Sequence, residues 1–219
     1  MSVAIENFVK AIYNNEKQDI TNTKPGNIAN KLGISNAAAT DMAKKLAAKG
    51  LLNYEKYQAL QLTDAGEKMA LNIVRKHRLW EALLHKMFDM SLHEIHREAE
   101  LLEHETSDFL AEKISEYLGH PKFDPHGDPI PNANGEITTI DTSIALINAE
   151  ENKTYVISRL MSEDKEFFEF CALNGIKYGN KISIVKQFQN SKMTQIIINT
   201  NTIILNQDFT QIIYVNEIN

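Results

Sequence analysis

Cysteine, long apolar runs and a basic overall charge are all scarce in this 219-residue chain. The single cysteine, Cys171, cannot form an internal disulfide, so a disulfide-stapled fold is excluded and the reducing cytoplasm is the expected compartment. No stretch reaches the roughly 18 apolar residues that a bilayer-spanning helix needs, so no membrane partner is expected. The opening Met1 to Glu6 has no basic start followed by an apolar core, and a secretory signal is not expected. No glycine-rich phosphate cradle and no nucleophile with an oriented base can be read, which argues against an enzyme. The net charge of −6 would weigh against nucleic acid if it were evenly spread. It is not: residues 1–78 hold 12 Lys+Arg against 7 Asp+Glu, and the remainder holds 11 against 22. A basic N-terminal part suits phosphate contacts, and an acidic remainder suits either a cation site or solubility. The apolar fraction of 43% is that of an ordinary globular protein, and the length admits more than one domain.

Apolar periodicity predicts helices over about 3–15, 25–32 and 36–49, with Ile5, Phe8, Val9 and Ile12 on one face of the first. Residues 51–63 alternate and favour strand, as a short hairpin would. Thr63-Asp64 then caps a long helix over about 64–88. Ser91 and Glu94 form a capping box for a helix running to about 105, and Ser107 opens another that ends near Gly119. Pro121, Pro125, Pro129 and Pro131 sit with Gly127 and Gly135 in a loop over 120–136, a domain-boundary signature. Beyond it, runs at 155–160, 181–185, 194–198, 202–205 and 212–215 read as five short strands, interrupted by a helix over about 164–174. Such strands within so few residues predict a small barrel.

Asn27 to Met42 has helix-turn-helix grammar. Ala29 is small where two helices approach, Gly33 permits a left-handed turn, and Ile34, Ala38 and Leu46 offer packing for the second helix. Ser35, Asn36, Ala37, Thr40 and Asp41 would then lie at the base-facing start of a recognition helix, with Lys44 and Lys45 placed for phosphates. The hairpin behind it completes a winged helix, with Lys56 at the wing tip. Any three-helix bundle can have a glycine turn beside an alanine, and Lys56 reads equally well as a solvated lysine.

Five of the seven histidines fall between His77 and His104. His77 and Glu81 are four apart and share a helix face; His96, Glu100, Glu103 and His104 share another. Two helices joined by a short turn would bring these faces together as a pocket of imidazoles and carboxylates, donors suited to Mn²⁺, Fe²⁺ or Zn²⁺. A solvated Glu/His face is the competing reading. Ile95, Ala99 and Leu102 form a packing stripe beside these polar groups, which puts them at the edge of an interface.

The segments Glu6 to Tyr13, Arg75 to Glu81, His96 to His104 and Pro125 to Pro131 together resemble the diphtheria-toxin-repressor family of metal-dependent regulators, above all its manganese-responsive members with a C-terminal SH3-like domain. The resemblance runs over nearly the whole chain. It implies a winged helix-turn-helix DNA-binding domain over 1–72, a helical metal-binding and dimerisation domain with the Pro-rich loop over 73–136, and an SH3-like domain over 137–219. The fold class is thus a mostly α N-terminal half followed by a small SH3-like β-barrel. It implies a primary metal site of Glu100, Glu103 and His104, completed from the first helix, where Asn7 stands. An ancillary site of His77, Glu81 and His96 is implied as well, extended by Asp124 and His126 of the loop and by Glu166, or Asp164 nearby, of the SH3-like domain. Iron-type members carry a sulfur ligand where Glu100 stands and methionine where Asn7 stands; several manganese-type members have Asp at the latter position. Oxygen and nitrogen donors alone favour Mn²⁺, with Fe²⁺ the alternative and Zn²⁺ or other divalent ions able to substitute in vitro. The implied function is a metal-dependent transcriptional repressor that binds double-stranded operator DNA as a homodimer and controls metal-ion homeostasis. A metal-independent winged-helix adaptor is the competing class.

Overall fold

A computed structural model describes residues 2–18, 20–56 and 58–218. Two compact units make up the chain, and several helices contribute to both. The first unit comprises Met1–His77, Leu101–Glu112 and Pro131–Ile137. It opens with α1 (Val3–Gln18), α2 (Pro25–Leu32) and α3 (Asn36–Ala48), then the antiparallel strands β1 (Leu52–Asn53) and β2 (Gln61–Leu62). The first part of α4 (Asp64–Met87) follows. Phe8, Val9 and Ile12 of α1 are fully buried against Ile28, Ala29, Ala43, Leu46 and Leu60. Pro25 starts α2, where its missing N–H is not needed, and Gly33 ends it at φ 63°. The Ser35 hydroxyl then accepts the Ala38 N–H at 3.1 Å and caps α3. This cap sets the phase of the recognition helix. Ala39, Ala43 and Leu46, spaced by four and three residues, turn inward, while Ile34 and Ala38 are exposed. Of the three residues expected to pack this helix, only Leu46 does so.

The second unit comprises Arg78–Glu100, Lys113–Ile130 and Thr138–Asn219. Its helices belong to α4, α5 (Leu92–Leu102) and α6 (Asp108–Leu118). The capping box forms at α5, with the Ser91 N–H donating to Glu94 Oε2 at 2.8 Å. The helix stops at Leu102 rather than near 105. Residues Glu103–Glu105 tighten into a 3₁₀ turn, and the Thr106 hydroxyl donates to the Leu102 carbonyl at 2.6 Å.

The C-terminal part is a six-stranded antiparallel sheet in the order β3-β8-β4-β5-β6-β7. Its strands are β3 (Ile144–Ala145), β4 (Thr154–Leu160), β5 (Lys181–Phe188), β6 (Met193–Ile198), β7 (Asn201–Asn206) and β8 (Ile213–Glu217). Alternate residues Tyr155, Ile157, Ile182, Ile184, Ile196 and Ile198 face a core shared with α7 (Lys165–Asn174), which contributes Phe167, Phe168 and Cys171. Burial pushes the Cys171 thiol pKa up to about 12. The five expected strands are all present. The two-residue β3 and the short α8 (Gln207–Ile212) had no periodicity long enough to read.

Candidate metal centre and DNA-reading surface

In the first unit, α1, α4 and the 3₁₀ turn bring Glu6, Asn7, Lys10, His77, Glu103 and His104 into play. Glu103 is 1% exposed. Its Oε2 lies 2.6 Å from His77 Nδ1 and 2.7 Å from Lys10 Nζ, and Nζ lies 3.2 Å from that Nδ1. His104 Nδ1 meets Glu6 Oε2 at 2.7 Å. A carboxylate there can accept a hydrogen bond from Nδ1, the arrangement by which a second carboxylate orients a metal-binding imidazole through its other nitrogen. That Nε2 is buried with no hydrogen-bond partner, as are Glu103 Oε1 and Asn7 Oδ1. Nε2 and Oε1 are 3.4 Å apart. Buried acceptors are normally satisfied, so orphaned ones on Asn7, Glu103 and His104 fit a divalent cation well. Glu100 stands at the last full turn of α5, just before Glu103 in the chain.

Glu6 and Lys10 escaped the sequence reading. A signal existed for Lys10: it lies between the buried Val9 and Ala11, and a charge inside an apolar stripe needs a partner. Glu6 had none, because its partner is 98 residues away in sequence.

The second unit holds Glu81, Asp124 and His126, all buried, with one donor atom from each within 4.8 Å of the others. His96 Nδ1 meets Glu81 Oε1 at 2.9 Å, and His126 Nδ1 lies 3.5 Å from Glu81 Oε2. His126 Nε2 is buried without a hydrogen-bond partner. Burial opposes the His126 imidazolium, but Glu81, Asp124 and Asp128 outweigh it and lift the pKa to about 9. Burial and the neighbouring Glu81 and Asp128 carboxylates push the Asp124 carboxyl well above its usual range. The loop is built to hold these groups. Asp124 Oδ1 accepts the His126 and Asp128 N–H groups at 2.8 and 2.9 Å, and the Leu160 N–H of β4 donates to the His126 carbonyl at 2.8 Å.

His77 and Glu81, expected together, have different partners: His77 pairs with Glu103, and Glu81 pairs with His96. The SH3-like ligands expected from α7 are not brought to this cluster. Glu166 is exposed, and Asp164 is engaged as the α7 cap, accepting the Phe167 N–H at 2.7 Å. Two residues along a helix is more than half a turn. Phe168 therefore faces inward where Glu166 faces out, and its ring meets His126 edge-on at 5.2 Å between centroids.

On α3, Ser35, Asn36, Ala37, Asp41, Lys44 and Lys45 are exposed and Thr40 is half-buried. Ser35 is spent on the cap, and Lys45 pairs with Asp41 at 2.7 Å. Lys56 is exposed between the strands of the wing.

A winged helix followed by buried His/carboxylate clusters defines the class of metal-dependent DNA-binding regulators. Comparison with known proteins gives the family. The iron dependent repressor N-terminal DNA binding domain matches residues 1–60, and the iron dependent repressor metal binding and dimerisation domain matches residues 63–132. The diphtheria toxin repressor of Corynebacterium efficiens is 26% identical over 191 residues, 83% of each chain. The iron-dependent repressor IdeR of Mycobacterium tuberculosis is 31% identical over 126 residues, 58% of this chain and 54% of the relative. A solved manganese-dependent transcriptional repressor in complex with manganese is 30% identical, with a TM-score of 0.88 over 97% of this chain and 99% of its own. ScaR with bound Zn²⁺ is 32% identical, with a TM-score of 0.79 over 98% and 99%. The chain belongs to the diphtheria toxin repressor family of iron-dependent and manganese-dependent repressors. The family consists of transcriptional repressors, which are not enzymes. No helix among the described residues is long and apolar enough to cross a membrane.

Proposed function

We propose that this chain is a transcriptional repressor that binds operator DNA as a homodimer when loaded with Mn²⁺, and so controls metal-ion homeostasis from the cytoplasm. The observation that carries the metal reading is the set of buried, unmatched lone pairs on Asn7, Glu103 and His104. The primary site is Asn7, Glu100, Glu103 and His104, with Glu6 orienting the His104 ring. The ancillary site is Glu81, Asp124 and His126, with His96 behind Glu81. The proposed domains are a winged helix-turn-helix over 1–72, a helical metal-binding and dimerisation domain over 73–136 and an SH3-like domain over 137–219.

A bound divalent ion supplies positive charge that joins donors from different parts of the chain. Asn7 is the donor on α1, and α1 packs against α2 and α3. A ligand shell shared by α1 and the 3₁₀ turn therefore biases the position of the recognition helix, a population shift toward the DNA-competent form. Base-facing Asn36, Ala37 and Thr40 then read the major groove, while Lys44, Lys45 and Lys56 meet phosphates. Operator DNA raises metal affinity by the same factor as metal raises DNA affinity.

Both clusters offer oxygen and nitrogen and no sulfur, which favours Mn²⁺. Fe²⁺ is the second reading, favoured by the likeness to IdeR. The test is to select preferred sites from random duplex DNA in Mn²⁺, then measure gel shifts against free Mn²⁺, Fe²⁺ and Zn²⁺ with a chelator control. Glu103→Ala and His104→Ala should each weaken metal-dependent binding at least about a hundredfold with the fold intact. Unchanged binding by both variants would sink the primary-site assignment, and activation by anaerobic Fe²⁺ alone would sink the choice of Mn²⁺.

A further inference from the structure

We infer that the Lys10 ammonium is a tethered cation filling one of two cation positions around Glu103, so that the α1 cluster accepts a single divalent ion. The inference rests on the metal-site reading above. Lys10 is 8% exposed and lies within the buried stripe of α1. Its Nζ, the His77 Nδ1 and the Glu103 Oε2 form a closed triangle with sides of 2.7, 2.6 and 3.2 Å. Two of its corners are an imidazole nitrogen and a carboxylate oxygen, the donor types that Mn²⁺ takes. The third corner is a fixed positive charge.

The two oxygens of Glu103 therefore have different lives. Oε2 is covered by the ammonium and by His77, whereas Oε1 is buried, has no hydrogen-bond partner and stands 3.4 Å from the unmatched Nε2 of His104. An ion on the Oε2 side would have to come within about 2.0–2.6 Å of both Oε2 and the imidazole. The ammonium nitrogen already stands beside both, and two cations at that spacing repel strongly in a buried site. Only the Oε1 side is open to an ion. The ammonium also ties α1 to α4 and to the 3₁₀ turn when no metal is bound. Metal completes the link through Asn7 and His104 rather than creating it.

The test uses the full-length chain with Mn²⁺ as the probe. Bound ions per chain are counted by equilibrium dialysis and elemental analysis for the wild type, Lys10→Glu and Lys10→Gln. Thermal midpoints are measured in chelator and in Mn²⁺. Lys10→Glu removes the cation and adds a donor beside His77 and Glu103, so it should take up one more ion per chain than the wild type. Lys10→Gln leaves Glu103 buried without its cation, so in chelator it should melt lower by roughly 5 °C or more, with Mn²⁺ recovering most of the loss. A folded Lys10→Glu chain with the wild-type ion count overturns the inference, as does a Lys10→Gln chain that melts at the wild-type temperature in chelator. A wild-type chain that takes up no Mn²⁺ would instead overturn the metal-site reading on which the inference rests.

Discussion

Buried acceptors without a donor cost roughly 1–3 kcal/mol each. Asn7, Glu103 and His104 each carry a buried side-chain atom without a hydrogen-bond partner, a cost that the proposed cation would offset. Glu6 fixes the imidazole, because its carboxylate oxygen stands 2.7 Å from His104 Nδ1 and leaves Nε2 3.4 Å from Glu103 Oε1. In the second cluster the obstacle is a proton already present. The folded metal-free chain holds the His126 proton with a pKa near 9, and Asp124 is also shifted upward. A raised folded-state pKa stabilises the chain below the ordinary histidine value of about 6.5, and that stabilisation is lost as pH rises through about 9. An ion must displace the same proton. Mn²⁺ affinity at this cluster, measured by calorimetry in a His104→Ala chain, should therefore rise roughly tenfold per pH unit between 6.5 and 9. A flat profile would mean that His126 is already neutral in the metal-free chain.

At the scale of elements, the Pro-rich loop is fixed by its contact with β4. Gly127 has φ 91°, and a Cβ there would meet the Ser158 carbonyl oxygen at 2.0 Å. Gly127→Ala must push the loop off the strand. It should cost roughly 2–3 kcal/mol in denaturant melts and weaken Mn²⁺ uptake at Glu81, Asp124 and His126 at least tenfold, with uptake at the α1 cluster preserved. Wild-type stability in that variant would refute this account of the loop. Much of the architecture was legible because it rests on local chemistry: Pro25, Gly33 and Ser35 mark the helix-turn-helix, Ser91 and Glu94 mark α5, and the isoleucine-rich runs mark the strands. The phase of α3 was not, since Ala37, Ala38 and Ala39 are chemically identical candidates for one buried position. The 3₁₀ turn at Glu103 was hidden because hydrophobic periodicity does not register a tightened turn. The side of α7 that turns inward was not legible either: Glu166 is exposed, and Phe168, two residues on, is buried across the helix.

For the whole molecule, the charge of −6 conceals a basic reading end and an acidic remainder, a division that suits one chain meeting both phosphates and cations. Pairing of two chains has an apolar candidate surface within the matched dimerisation domain, where Leu101, Phe109 and Leu110 are exposed, Phe109 by 74%. Phe109→Glu should give a light-scattering mass near 24.8 kDa where the wild type gives twice that, and should weaken operator binding at least about tenfold. A dimeric variant would move the interface elsewhere. The sulfur chemistry of the chain has a consequence of a different kind. Peroxide attacks thiolates, and the one thiol is sealed among Phe167 and Phe168 with its pKa pushed up to about 12, while neither cluster uses sulfur. Oxidative stress therefore has no thiolate to attack in this repressor, and its ligands would stay ready for metal in conditions that disable a sulfur-ligated sensor.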